Sequence, residues 1–405
     1  MKTNAGYIKR DIEAVLLKTK AMFPAVALTG PRQTGKTTLL KNLLGKEYKY
    51  LSFDDPSVSA VAVSDPKLLF SASQKYVLDE IQYAPKILSY VKLLIDENRS
   101  IKGRFIITGS QQFAMMKNLG DSLAGRIAVL DLLPFSLNEK NKSKAVTLKD
   151  PEDSFIDSCI AGSYPEIVID RNIEARQWYS NYLRTYLERD IRTTYSIGDL
   201  NDFQRFIALL AARCSQILNM SNFSKELGVS VPTIKRWLSI LEASGIIYLL
   251  QPYYSNFGKR IIKNPKIYFL DCGIVCHLTA LTSKEQVMNG IMAGPLFENY
   301  IVSETVKKYY NKGSRPKLYY IRTSNNTEVD LLVEEGSKYK AYEIKLAKTA
   351  NINLIKPMES IIKMFDETLV TEGNLVFLGE SNTRLGKNIS TLNYEEYIQG
   401  SERKD

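Results

Sequence analysis

A single histidine, His277, stands in the 405 residues. That scarcity excludes a Ser-His-Asp triad elsewhere in the chain and every metal site that needs two imidazoles. Cysteine is nearly as rare: Cys159, Cys214, Cys272 and Cys276 are too few for a disulfide scaffold. Cys272-Gly273-Ile274-Val275-Cys276-His277 offers three zinc-ligand types in a tight apolar stretch without a fourth nearby. These cysteines are therefore expected to be buried and structural. No apolar run approaches the ~18 residues needed to span a bilayer. The segment from Met1 to Tyr7 lacks the apolar core of a signal peptide. A cytoplasmic protein with no membrane partner is expected.

What is present is ordinary for a globular chain, with 44% hydrophobic and 24% charged residues. The length exceeds one ordinary core and predicts two to four domains. Lys and Arg outnumber Asp and Glu by 54 to 44, a formal charge of +10. That excess favours acidic partners such as nucleic acid, although over a large surface it also serves solvation.

The most specific stretch is Gly30-Pro31-Arg32-Gln33-Thr34-Gly35-Lys36-Thr37, which fits G-x-x-x-x-G-K-[ST]. Apolar Phe23 to Thr29 before it reads as a buried parallel strand. Leucines at helical spacing after Thr38 read as a helix. In that context the loop's amides and the helix N-terminus face phosphate. Lys36 is expected to reach the β- and γ-phosphates, and Thr37 to ligate Mg²⁺. Lys75 to Glu80 reads as an apolar strand ending in two acids: Asp79 as a Mg²⁺ holder and Glu80 as the general base for water. Arg104 to Ser110 reads as a third strand. Ser110, chosen over Thr108, reads equally as a γ-phosphate sensor and as a turn residue. Arg126, just before the apolar Ile127 to Leu133, reads as an arginine finger or as a solvated surface residue.

Beyond Phe135 the pattern changes, and a lysine-rich stretch (138–149) marks a boundary. Asp153 to Arg192 predicts helices broken at Gly162-Ser163-Tyr164-Pro165. Ser221 to Leu227, a turn at Gly228-Val229-Ser230, and Val231 to Ala243 outline a helix-turn-helix. Expected strands at 246–254 and 260–263 make it winged. Lys235 and Arg236 either face DNA or lie on a structural bridge. From Pro295 the order is helix, three strands, helix, strand. Glu343 and Lys345 share a strand face, with Asp330 on the neighbouring strand. Two carboxylates and a lysine in that relation suit Mg²⁺-assisted attack on a phosphodiester, and Glu298 on the preceding helix offers a third carboxylate.

Gly30 to Leu40 (GPRQTGKTTLL), Val77 to Gln82 (VLDEIQ), Ile107 to Ser110 (ITGS) and Ser122 to Arg126 (SLAGR) resemble prokaryotic AAA-type P-loop ATPases of the STAND-related MNS clan. The C-terminal part of that group joins a winged helix to a PD-(D/E)XK nuclease-like fold. The resemblance implies an α/β chain in four parts: an ATPase domain (1–137), a helical linker (138–200), a winged helix (201–264) and a nuclease-like domain (265–405). It implies ATP and Mg²⁺ as cofactors, Gly30 to Thr38 and Ser110 at the nucleotide, and Thr37 and Asp79 at its metal. Lys36, Glu80 and Arg126 are the implied catalytic set for ATP, with Arg126 acting in cis or from a neighbouring subunit. Glu298, Asp330, Glu343 and Lys345 are the implied nuclease set, with Asp330 and Glu343 at the metal. The family's usual proline before the first nuclease aspartate is Val329 here. The leading expectation is an ATPase whose nucleotide state controls nucleic-acid cleavage, DNA ahead of RNA. The alternative is a regulatory switch that binds a protein or nucleic-acid partner without cutting. Oligomer formation stays open.

Overall fold

Short apolar runs bounded by turns build the first unit. The computed structural model describes residues 6–109, 123–143, 150–186, 200–253, 264–323, 325–364 and 369–400. Strands β1 (Ala25–Thr29), β2 (Lys49–Ser52), β3 (Tyr76–Asp79), β4 (Phe105–Thr108) and β5 (Ile127–Asp131) pair in parallel, in the order β2-β3-β4-β1-β5. Such a sheet must be covered on both faces, which explains the unbroken apolar strands. Along β1, Ala25 and Ala27 pack with Leu78, Ile87 and Phe105 on one side. Val26 and Leu28 pack with Leu39, Leu40 and Ile106 on the other. The turns after β1 and β3 thereby meet at one edge, where ligands bind in open α/β sheets.

The second sheet has eight strands: β6 (Ile247–Pro252), β7 (Lys266–Phe269), β8 (Leu318–Arg322), β9 (Glu328–Glu335), β10 (Lys338–Ile344), β11 (Val370–Phe377), β12 (Arg384–Gly386) and β13 (Ile389–Asn393). Their order is β12-β13-β11-β10-β9-β8-β6-β7, a mixed sheet. The helix Ala293–Asn311, β8 to β10, the helix Lys356–Ile362 and β11 follow the expected order of elements.

The helices Met220–Leu227 and Val231–Ala243 are joined through Gly228, which takes the left-handed φ of 70° at the first helix's end. Ser230 caps the second helix by accepting from Thr233 N–H. Among the described residues β6 pairs with β7, antiparallel, with Ile247 opposite Phe269. The strand expected at 260–263 and the turn at Asn256-Phe257-Gly258 lie outside the described residues. β6 also pairs in parallel with β8, Gln251 opposite Tyr319. Hydrogen bonding thus runs across residue 264, where the resemblance implies a division between parts.

One apolar cluster spans the same boundary. It joins Phe155, Tyr179, Phe206, Trp237, Ile301, Tyr320, Val376 and Tyr394. Middle and C-terminal segments therefore share a core. All four cysteines are buried and free. Among the described residues no helix is long and apolar enough to cross a membrane.

Candidate functional site

Backbone shape comes first at the loop after β1. Gly30 has φ 134°, and a Cβ there would lie 2.1 Å from the Leu132 carbonyl oxygen, so only glycine fits. Gly35, left-handed at φ 87°, opens the helix Lys36–Leu44. The Lys36 ammonium, buried, donates to the carbonyls of Gly30 (2.9 Å) and Pro31 (2.7 Å). Thr34 braces the loop from inside, its hydroxyl 2.9 Å from the Pro31 carbonyl.

The acids of β3 meet this loop. Thr37 Oγ1 donates to Asp79 Oδ2 at 2.9 Å, and the Tyr50 hydroxyl donates to the same oxygen. Asp79 Oδ1 is buried with no hydrogen-bond partner among the described residues. Burial pushes the Asp79 carboxyl above its ordinary range, against the pull of Thr37. A buried carboxylate oxygen without a donor, beside a threonine hydroxyl, fits a hard divalent cation. Glu80 follows at a left-handed φ of 54° and accepts from Gln82 Nε2. Thr108 ends β4 one residue past the pair Leu78–Ile107, and its buried hydroxyl also has no partner among the described residues. Ser110, the expected sensor, lies outside the described residues.

The cleft here measures about 590 Å³. Arg32, Gln33, Gly35, Lys36, Thr37, Thr38 and Glu80 line one side, and Pro165, Glu166, Ile169 and Thr185 close the other. Trp178 Nε1 fixes Glu166 at 2.9 Å. The helical segment thus walls the nucleotide cleft, a role its sequence did not reveal.

Arg126 is not at the cleft. Its guanidinium grips Asp96 through two bonds of 2.8 and 2.9 Å. Its carbonyl accepts from Ala25 N–H at the start of β1, whereas the loop follows the end of β1. In this structure Arg126 lies a strand's length from the phosphate loop. The strand before the loop carries the two to opposite edges.

The second cluster lies on the eight-stranded sheet. Asp330 is buried, and its Oδ2 accepts from Ile344 N–H (2.9 Å) and Lys345 Nζ (3.1 Å). Lys345 also lies 2.7 Å from Glu343 Oε1, while the buried Glu343 Oε2 has no hydrogen-bond partner among the described residues. Burial, then the Asp330 charge, pushes the Glu343 carboxyl up. Burial opposes ionisation of Asp330 too, but Lys345, Lys266 and Ile344 N–H outweigh it and hold Asp330 low. Two carboxylates with an orphaned oxygen suit one divalent ion.

Glu298 reaches this cluster through Lys266. Its Oε1 accepts from Lys266 Nζ (2.8 Å) and the Tyr268 hydroxyl (2.6 Å). Lys266 also pairs with Glu328 and lies 3.8 Å from Asp330 Oδ1. Lys266, Tyr268 and Glu328 escaped the sequence reading. The signal was there: Lys266 and Tyr268 share one face of β7, as Glu328 and Asp330 share one face of β9.

Residues 22–141 match the AAA domain model, and residues 152–285 and 293–397 match two domains of unknown function. An uncharacterized protein of Mycobacterium tuberculosis is 29% identical over 328 residues, 80% of this chain and 71% of that protein. Another from Methanocaldococcus jannaschii is 25% identical over 355 residues, 81% of this chain and 75% of that protein. The Walker-type ATPase of Pyrococcus abyssi is similar at 13% identity and a TM-score of 0.46, over 67% of this chain and 96% of that one. The AAA match coincides with the parallel sheet and the phosphate loop. The N-terminal unit has the parallel sheet and phosphate loop of a P-loop ATPase and is similar to the AAA domain over residues 22–141.

Proposed function

We propose that ATP binding and hydrolysis in the N-terminal unit control a nuclease-like C-terminal module that acts on nucleic acid, DNA ahead of RNA. Thr37 and Asp79 would hold Mg²⁺, which supplies charge neutralisation at the phosphates when bound. Lys36 moves from its carbonyl partners to phosphate, and Glu80 orients the attacking water. Thr108, without a hydrogen-bond partner among the described residues at the neighbouring strand end, is the sensor candidate alongside Ser110.

The observation that carries the coupling is the reach of one helix, Ala293–Asn311. Near its middle the Glu304 carboxylate accepts from Leu137 N–H (2.7 Å), and Lys307 Nζ donates to the Phe135 carbonyl (3.1 Å). Both partners follow β5 of the ATPase sheet. Toward its start the same helix presents Glu298 to the second cluster. Pro31 of the phosphate loop also abuts Gly245, just past the helix Val231–Ala243, where an added Cβ would lie 2.9 Å from its ring. A loop that rearranges around nucleotide therefore presses on the Gly245 turn directly and reaches the long helix through the segment after β5.

At the second cluster Asp330 and Glu343 would hold one Mg²⁺, which polarises a phosphodiester when bound. Lys345 orients or activates water. The exposed Lys235 and Arg236 of the winged-helix candidate supply phosphate contacts. A switch that binds its partner without cutting is the second reading, favoured by the three ammonium–carboxylate contacts of Lys266.

Purified wild-type and Asp330→Ala protein, incubated with plasmid and single-stranded substrates, Mg²⁺, and ATP or none, separates the two. Cleavage that requires Asp330 and changes with ATP supports the nuclease. ATP hydrolysis without cleavage supports the binding switch.

A further inference from the structure

Lys266 is a buried lysine whose side chain is 4% exposed. Its ammonium lies among Glu298, Glu328 and Asp330, at 2.8 Å from Glu298 and 3.8 Å from Asp330, with Glu328 in direct contact. Those three acids are the one group among the described residues whose carboxylate oxygens lie close enough, within 4.8 Å of one another, to share a metal ion. The position a cation would take between them is filled by the chain's own ammonium.

Charge counting agrees. Glu328 is also met by Arg322 at 3.2 Å, and Asp330 by Lys345 at 3.1 Å. The three acids thus face Lys266, Arg322 and Lys345, the last shared with Glu343 at 2.7 Å. Packing holds Lys266 in place as well. The Tyr268 hydroxyl donates to the Glu298 oxygen that Lys266 contacts, and the Tyr320 ring lies 5.6 Å from the ammonium. Mg²⁺ needs oxygens at about 2.0–2.1 Å in an octahedral shell. An ammonium in contact with those oxygens occupies that shell and repels the ion.

We propose that Lys266 is the resident cation of the C-terminal site, standing where a divalent ion would otherwise bridge Glu298, Glu328 and Asp330. Glu298 then serves to hold Lys266 and is not a metal ligand. Any divalent ion is confined to the Asp330–Glu343 side and to Glu343 Oε2, the oxygen that Lys345 leaves without a hydrogen-bond partner among the described residues. The assignment concerns ion occupancy alone, so it stands or falls separately from cleavage.

Manganese binding to the nucleotide-free full chain tests it, by calorimetry and by electron paramagnetic resonance of free Mn²⁺. Wild type and Glu328→Gln are expected to bind Mn²⁺ with the same stoichiometry and closely similar affinity. Lys266→Met is expected to gain one Mn²⁺ per chain, and Lys266→Met with Glu328→Gln to lose that gained site. Weakening of wild-type Mn²⁺ affinity by about tenfold or more in Glu328→Gln would overturn the assignment, since ligand-shell changes have that size. So would a folded Lys266→Met protein that gains no site. If Lys266→Met does not fold, the comparison of wild type with Glu328→Gln decides alone.

Discussion

The Arg10 guanidinium, buried at 3% exposure, faces the fully buried Glu139 across 2.9 Å. The same guanidinium donates to the carbonyls of Thr34 in the phosphate loop and Leu133 beyond β5, both at 2.7 Å. Glu139 in turn accepts from the backbone N–H of Ser136 and Asp11. One ion pair therefore ties the loop that grips phosphate to the segment that meets the helix Ala293–Asn311.

Breaking a buried pair leaves an uncompensated charge and costs ~3–5 kcal/mol. Arg10→Met is expected to lose stability on that scale. Replacing both partners, Arg10→Met with Glu139→Leu, is expected to recover most of it while ATP affinity stays reduced. Chemical denaturation beside nucleotide titration reads both. Full recovery of ATP affinity would show that Arg10 does not brace the loop.

At the nucleotide cleft, Lys36→Ala is expected to abolish detectable ATP turnover. Tyr50→Phe is expected to keep turnover and shift its Mg²⁺ dependence, because the Tyr50 hydroxyl shares Asp79 Oδ2 with Thr37. A Mg²⁺ titration of hydrolysis rates separates them. Wild-type turnover in Lys36→Ala would remove the site from the account.

Arg126→Ala is expected to leave ATP affinity unchanged, because the side chain is held by Asp96 at the far edge of the sheet. If turnover falls in the variant, it should do so only as protein concentration rises, when a neighbouring chain can donate the arginine. A loss of turnover independent of concentration would contradict the placement of Arg126.

Burial and the Asp330 charge push Glu343 from 4.5 to about 8. The folded chain then holds that proton more tightly than the unfolded chain. Its contribution to stability is full below pH 4.5 and is lost as pH rises through about 8. In EDTA, the wild-type melting temperature is expected to decline across that window more steeply than that of Glu343→Gln. Equal slopes would mean that Glu343 is already ionised in the fold.

The phosphate loop and the acids after β3 were readable because their chemistry demands fixed residues at fixed spacing. The strands of the first sheet were readable because burial on both faces leaves continuous apolar runs. The order of elements after Pro295 was equally plain. Contacts set by folding were hidden: Arg10 and Glu139 are 129 residues apart, and nothing local in either segment announces the pair. Lys266 was hidden for another reason. It opens a four-residue strand, KIYF, that is buried throughout and looks like ordinary core, so its ammonium finds the carboxylates only once β7 joins the sheet. Which sheet the strand after residue 264 joins was hidden too, because β7 pairs with β6 from before that point.

Hydrogen exchange with and without ATP and Mg²⁺, on wild type and Lys36→Ala, tests the coupling most directly. Nucleotide is expected to change exchange at the phosphate loop, at Leu137–Lys140 and along Ala293–Asn311 in wild type, and at none of them in Lys36→Ala. Changes confined to the loop and the end of β3, with the long helix unaltered, would contradict control of the C-terminal site by nucleotide.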